Sequence, residues 1–131
     1  MPTVLVVDDE PAVRQLASRM LRQGGYDTIE VPGGREAWAY LQRSGVQVDA
    51  AVVDVVMPGM SGTELVAMLR EVHPELPVLL MSGYTAGDLV QRGLERYTGP
   101  LLTKPFTQEG LLAGVDRLLG PLPHSRGGSA S

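Results

Sequence analysis

The chain has 131 residues, a formal net charge of −4 and no cysteine. This length corresponds to one domain, and the lack of cysteine excludes disulfides, thiolate metal sites and a cysteine nucleophile. The acidic balance, without a basic stripe, argues against direct binding to nucleic acid. Because the apolar runs are far shorter than the roughly 20 residues that span a bilayer, we expect no membrane insertion and a cytoplasmic location.

Short apolar runs alternate along the chain with segments in which apolar residues recur every three or four positions. The apolar runs predict β-strands over residues 3–8, 27–31, 49–54, 77–82 and 100–103. The periodic segments predict helices over residues 11–23, 33–44, 65–72, 86–94 and 111–119. Glycines at positions 87 and 93 weaken the fourth of these helices. Residues 121–131, rich in glycine, serine and proline, are predicted to form a flexible C-terminal tail.

Strands that alternate with helices predict right-handed crossovers and a parallel sheet covered on both faces. The first, third and fourth strands are continuously apolar and belong at the centre, whereas the more polar second strand belongs at an edge. We therefore predict an α/β fold for residues 1–120. It is a flavodoxin-like (βα)5 three-layer sandwich with a parallel five-stranded sheet in the order 2-1-3-4-5.

Polar residues stand at the carboxyl ends of these predicted strands, where such sheets bind ligands. Asp8 and Asp9 end the first strand, Asp54 the third and Ser82 the fourth, and Lys104 follows the fifth. Three neighbouring carboxylates repel one another unless a cation compensates, and oxygen ligands suit Mg²⁺. An ammonium and a hydroxyl suit phosphoryl oxygens. The pattern predicts metal-assisted phosphoryl transfer, with Asp54 as the best-placed nucleophile.

These residues belong to four short motifs whose order and spacing resemble the receiver domains of response regulators over about residues 3–119. The motifs are Val-Val-Asp8-Asp9-Glu10, Asp54-Val-Val-Met-Pro58-Gly59-Met-Ser-Gly62, Ser82-Gly83-Tyr84 and Lys104-Pro105-Phe106. The resemblance implies that Asp54 is the phosphoacceptor. It also implies that Asp9, Asp54 and the backbone carbonyl of Val56 hold Mg²⁺ or Mn²⁺, while Asp8 acts mainly through water.

The resemblance further implies that Ser82 and Lys104 hold the phosphoryl oxygens and that the Lys104–Pro105 bond is cis. The sequence departs from the family at Leu101, three positions before the lysine, where many receivers have Tyr or Phe that turns inward on activation. We therefore expect the switch to use Ser82 with Tyr84, or with a backbone shift, in place of an aromatic residue at position 101. The apolar side chain of Val56 gives no help to an attacking water, which predicts a long-lived phosphorylated state.

By the same resemblance, the phosphoryl donor is a sensor histidine kinase or a histidine phosphotransfer protein. The chain would then be a signalling switch that catalyses its own single-turnover phosphorylation and dephosphorylation, rather than a metabolic enzyme. A phosphorylation-linked dimer is compatible with this interpretation. The segments over residues 81–85 and 101–106 are similar to receivers at the ends of hybrid histidine kinases.

Three other functions are compatible with the same fold. A flavin or nucleotide binder would present hydroxyls and amides in its first loop, whereas this loop presents Asp8, Asp9 and Glu10. An aspartyl phosphatase commonly has a second acid near its nucleophile, but the residues after Asp54 are Val-Val-Met-Pro. A phosphorylation-independent interaction module would carry a degraded acidic pocket, whereas this pocket is intact in the sequence.

Overall fold

The computed structural model describes residues 2–43, 45, 47–57, 59, 61–83 and 100–120. The strands are β1 (Thr3–Val7), β2 (Asp27–Val31), β3 (Ala50–Asp54), β4 (Val78–Ser82) and β5 (Leu101–Thr103). The helices within the described residues are α1 (Pro11–Gln23), α2 (Gly34–Leu41), α3 (Gly62–Val72) and α4 (Gln108–Leu119). The helix predicted over residues 86–94 and the tail predicted over residues 121–131 lie outside the described residues.

The five strands form one parallel sheet in the order β2-β1-β3-β4-β5, which confirms the predicted topology. In the register of the sheet, Val7 lies beside both Val31 and Val53, and Asp54 lies beside Met81. The carboxyl ends of the central strands therefore meet at one edge of the sheet. This edge is where the sequence places its acidic residues.

Helices cover both faces of the sheet, so the protein has the three layers that the sequence predicts. On one face, Leu5 and Val7 of β1 pack with residues of α2 and α3; on the other, Val4 and Val6 pack with residues of α1 and α4. All four of these side chains are fully buried. Burial on both faces explains why the central strands are continuously apolar rather than alternating.

Three helices differ from their predicted limits for local reasons, and the last of them begins at Gln108 rather than residue 111, after a capping side chain at Thr107. The second helix ends at Leu41 rather than residue 44, because Gln42 and Arg43 are exposed and Gly45 has a φ of 81°, a left-handed conformation that does not continue a helix. The third helix begins at residue 62, three positions before its first predicted apolar residue. There Ser61 and Glu64 form a reciprocal capping box, which starts the helix before its first apolar residue. The spacing of the apolar residues alone does not indicate this start.

Among the described residues, no helix combines the length and the apolar character that crossing a membrane requires.

Candidate functional site

Three carboxylates meet at the carboxyl edge of the sheet. Asp8 and Asp9 lie in the turn between β1 and α1, and Asp54 is the last residue of β3. One oxygen from each carboxylate lies within 4.8 Å of the other two. The structure therefore brings together the three acids that the sequence assigned to one site.

Lys104 reaches this cluster from the segment that follows β5. Its Nζ lies 3.2 Å from Oδ2 of Asp8 and 3.3 Å from Oδ1 of Asp54. Its backbone N–H donates to the carbonyl oxygen of Ser82 at 2.6 Å, and the Lys104–Pro105 bond is cis, as predicted. One ammonium group thus pairs with two carboxylates, one just after β1 and one at the end of β3.

Burial and the neighbouring charges together set the pKa values of Asp54 and Lys104. Asp8 is fully buried and Asp54 is 5% exposed. Burial, followed by the charge of Asp8, raises the pKa of Asp54 to about 6, against an opposing effect of Lys104. Burial tends to lower the pKa of Lys104, but the charges and hydrogen bonds of the two carboxylates outweigh it and the pKa is raised. Lys104 therefore stays cationic, and a single ammonium faces three acidic groups.

Asp8 is held at each of its polar groups. Its Oδ1 accepts a hydrogen bond of 2.9 Å from the backbone N–H of Glu10, and its own N–H donates to the carbonyl of Val31 at 3.3 Å. Its carbonyl oxygen accepts a hydrogen bond of 2.8 Å from the guanidinium of Arg14. These bonds, with the ion pair to Lys104, fix the turn that carries Asp9.

Sequence reasoning did not identify Arg14. Its guanidinium also pairs with the carboxylate of Glu30 on β2, with 3.5 Å between Nε and Oε1. The available signal was weak: an arginine one turn into a predicted helix and a glutamate on the neighbouring strand. An apolar pattern does not show that these two side chains point toward each other.

Asp54 is supported by the backbone that follows it. The N–H of Val56 approaches Oδ1 of Asp54 at 3.4 Å, and the N–H of Val55 donates to the carbonyl of Met81 at 2.9 Å. Gly62 packs so closely that a Cβ atom there would lie 2.2 Å from the carbonyl oxygen of Asp54. The conformation of this strand end therefore depends on contacts from both β4 and α3.

An open cleft of about 440 Å³ lies over the cluster. It is lined by Asp9, Glu10, Asp54, Val56, Gly83 and Lys104. Val56 is 55% exposed, and Asp9 is also accessible to solvent. The cleft gives a ligand direct access to Asp54 from the side on which Lys104 lies.

Of the three residues predicted to form the switch, Ser82 and Leu101 are among the described residues. Ser82 ends β4 and is 1% exposed. Leu101 is partly buried and packs against the apolar cluster between the sheet and α2 and α3. Tyr84 lies outside the described residues. The switching roles of all three remain predictions.

The donor set suits a hard divalent cation. Carboxylate and carbonyl oxygens are the ligands that Mg²⁺ and Mn²⁺ prefer. The cluster contains three acidic groups and one ammonium, and the raised pKa of Asp54 reflects both burial and the charge of Asp8. A bound cation would supply the missing positive charge, so the residues present fit the predicted metal.

Comparisons with known proteins agree with this geometry. Residues 4–116 match the response regulator receiver domain family. The chain is 40% identical over 118 residues to the sensor kinase CckA of Brucella abortus, and 37% identical over 123 residues to the response regulator protein FleR of Pseudomonas aeruginosa. These matches cover 89% and 93% of the chain but only 12% and 26% of the two relatives. The chain therefore spans a small part of the curated relatives that it matches.

Solved structures give the same assignment. The chemotaxis protein CheY4 of Vibrio cholerae has a TM-score of 0.80 at 35% identity, with 91% of this chain and 99% of that chain covered. The signal receiver domain of a histidine kinase from Syntrophus aciditrophicus has a TM-score of 0.81 at 31% identity, with 94% and 93% covered. The chain belongs to the response regulator receiver domains of two-component systems.

Proposed function

We propose that this receiver domain accepts a phosphoryl group on Asp54, in a Mg²⁺-dependent reaction, from a phosphohistidine of a sensor histidine kinase or a histidine phosphotransfer protein. The observation that carries the proposal is the position of Lys104, whose ammonium lies within 3.3 Å of carboxylate oxygens on both Asp8 and Asp54. A nucleophilic carboxylate, an acidic cluster and an ammonium group at an open cleft are the parts that phosphoryl transfer to aspartate requires.

In the proposed reaction, a carboxylate oxygen of Asp54 attacks phosphorus and the P–N bond of the phosphohistidine breaks. The bonding electron pair stays on the imidazole nitrogen, which takes up a proton, and Asp54 becomes an acyl phosphate. The Lys104 ammonium and the Ser82 hydroxyl bind oxygens of the transferred group. Asp9, Asp54 and the Val56 carbonyl would hold the metal, with Asp8 acting through water. Bound Mg²⁺ supplies charge that offsets the negative charge of the phosphoryl oxygens.

The proposed output is a signalling switch in the cytoplasm that undergoes single turnovers, with water eventually releasing phosphate from Asp54. Val56 is exposed and apolar beside the acceptor, so it cannot orient an attacking water by hydrogen bonding, which supports a long-lived phosphorylated state. Similarity to the sensor kinase CckA and to a histidine-kinase receiver supports a kinase-linked partner. We propose that Ser82, Tyr84 and the region of Leu101 convey the added charge, about −1.5 to −2, to the output surface.

The proposal is tested by intact-mass measurement after incubation with acetyl phosphate, with Mg²⁺ or with a chelator. We expect a single phosphoryl adduct that requires Mg²⁺ and is absent from Asp54→Asn. The matched control is Asp27→Asn. Asp27 is exposed and begins the edge strand β2, at the end of the sheet away from the acidic site, so this variant should be phosphorylated like the unaltered chain. No adduct with either acetyl phosphate or a phosphorylated histidine kinase would favour a phosphorylation-independent interaction module.

The raised pKa of Asp54 predicts a pH-dependent metal affinity. Because this pKa is about 6 in the metal-free site, Asp54 takes up a proton as the pH falls through 6, and a neutral carboxyl is a poorer ligand. Mg²⁺ affinity should therefore be about tenfold weaker at pH 5 than at pH 7. Calorimetric titration checks this result. Asp54→Asn should bind Mg²⁺ more weakly at both pH values, and an unchanged pH dependence in that variant would assign the titration to another group.

A further inference from the structure

We propose that Arg14 is a positioning residue for the acidic site. Its guanidinium bridges the backbone carbonyl of Asp8 and the carboxylate of Glu30, and this bridge sets how strongly the turn containing Asp9 holds a divalent cation. The inference rests on the proposed function only in taking the acidic cluster as the cation site.

The bridge combines a short hydrogen bond with a longer ion pair, and its Arg14 side is largely shielded from water. A guanidinium nitrogen of Arg14 donates to the Asp8 carbonyl at 2.8 Å, while Nε lies 3.5 Å from Oε1 of Glu30. The Arg14 side chain is 16% exposed and the Glu30 side chain is 30% exposed. The two contacts connect the start of α1 to the edge strand β2 across the carboxyl end of β1.

Arg14 acts on a residue whose other polar groups are already engaged. The carboxylate of Asp8 is held by the Glu10 N–H and by Lys104, and Asp8 itself is fully buried. Without Arg14, the Asp8 carbonyl loses its side-chain partner, and a buried acceptor without a partner favours rearrangement of the turn. Asp9, one residue later, would move with it. Outer partners of this kind typically change metal affinity by about 10–100-fold when removed.

The geometry of the guanidinium and a second arginine on the same helix allow the effect of the bridge to be distinguished from a general effect of positive charge. The planar guanidinium can donate from two nitrogens at once, so it can bind the carbonyl and the carboxylate together, whereas a lysine presents a single ammonium. Arg22, two turns later on the same helix, provides a matched control. It also approaches Glu30, at 4.0 Å, but its hydrogen bonds go to the hydroxyls of Ser18 and Thr28.

The test is a Mg²⁺ titration of the full chain followed by backbone amide chemical shifts. We expect Arg14→Ala and Arg14→Lys each to weaken Mg²⁺ binding by about tenfold, and Arg22→Ala to leave the affinity within about twofold. In the metal-free chain, the amide hydrogen of Glu10 should exchange faster in both Arg14 variants. The thermal unfolding midpoint of each variant is measured alongside, and Arg14→Lys supplies the result if Arg14→Ala does not fold.

If Arg14→Lys bound Mg²⁺ as tightly as the unaltered chain, the proposed positioning role of Arg14 would be overturned. A loss of Mg²⁺ affinity in Arg22→Ala equal to that in the Arg14 variants would also overturn it. Failure of this inference is distinguishable from failure of the proposed function. If the unaltered chain binds Mg²⁺ but never gains a phosphoryl group, the proposed function fails while the affinities of the Arg14 variants still decide the positioning role. If the unaltered chain is phosphorylated and the Arg14 variants bind Mg²⁺ normally, only the positioning role fails.

Discussion

Replacing Lys104 with methionine is expected to slow phosphorylation of Asp54 by acetyl phosphate by about 10²–10³-fold, the usual effect of removing one preorganised donor from a site of developing charge. Methionine keeps most of the length of the side chain but has no charge and no hydrogen-bond donor. The ammonium lies 3.3 Å from the acceptor carboxylate, so its loss directly affects the place where the phosphoryl oxygens would lie.

The same substitution is expected to move the pH dependence of the reaction. The charge and hydrogen bond of Lys104 oppose the effects of burial and of Asp8 on the pKa of Asp54. Without the ammonium, this pKa rises above about 6, and more of Asp54 is protonated and non-nucleophilic near neutral pH. We therefore expect the rate of Lys104→Met to continue rising with pH after that of the unaltered chain has levelled off.

Rates from intact-mass time courses between about pH 5 and 9 check both parts of this prediction. Arg19→Met, which removes one positive charge from an exposed position of α1, is the control and should react normally. Lys104→Arg keeps the charge but replaces a compact ammonium with a planar fork, so it should recover only part of the rate. A Lys104→Met rate within threefold of the unaltered chain would remove the lysine from the proposed mechanism.

Most of the site could be predicted because its members lie next to recognisable strands. Asp8, Asp54 and Ser82 each stand at or just after the end of an apolar run, and a parallel sheet necessarily brings such ends together. The order of the sheet followed from the same runs, since the continuously apolar strands must be buried on both faces. For these residues, the place in the sequence at the end of an apolar run is enough to predict the place in the fold at the carboxyl edge of the sheet.

Arg14 and the limits of α2 depended on information that is not local. The direction of the Arg14 side chain toward the Asp8 carbonyl follows from how α1 packs on β1 and β2, which apolar periodicity does not specify. The second helix ends early because Gln42 and Arg43 are exposed and lead to a left-handed Gly45. The sequence predicted which charged residues meet at the carboxyl edge of the sheet better than it predicted the residues that support them.

Gly62→Ala is expected to destabilise the fold and to disturb the acceptor. A Cβ at this position would lie 2.2 Å from the carbonyl oxygen of Asp54 and 2.9 Å from the Cα of Val55, so backbone must move. Overpacking of this kind costs about 3 kcal/mol, whereas alanine gains at most about 1 kcal/mol over glycine in helix propensity. The overpacking effect is larger, and we expect a net loss of about 2 kcal/mol in the free energy of unfolding.

Two other glycines give graded controls for this experiment. Among the described residues, a Cβ at Gly83 would have no neighbour within 4 Å, and one at Gly114 would meet the end of the Leu79 side chain at 2.9 Å. Gly83→Ala should therefore leave stability nearly unchanged, and Gly114→Ala should change it by less than about 1 kcal/mol because a side chain can yield.

Urea unfolding followed by the fluorescence of Trp38, the single tryptophan, gives the three free energies. Intact-mass time courses give the phosphorylation rates of the same variants. Because the clash at Gly62 is with the backbone of the acceptor itself, Gly62→Ala should lose phosphorylation rate even at temperatures where it is fully folded. Gly114→Ala, whose contact lies on the opposite face of the sheet, should not. Equal stability and equal rates in Gly62→Ala and Gly114→Ala would show that α3 does not constrain the conformation of Asp54.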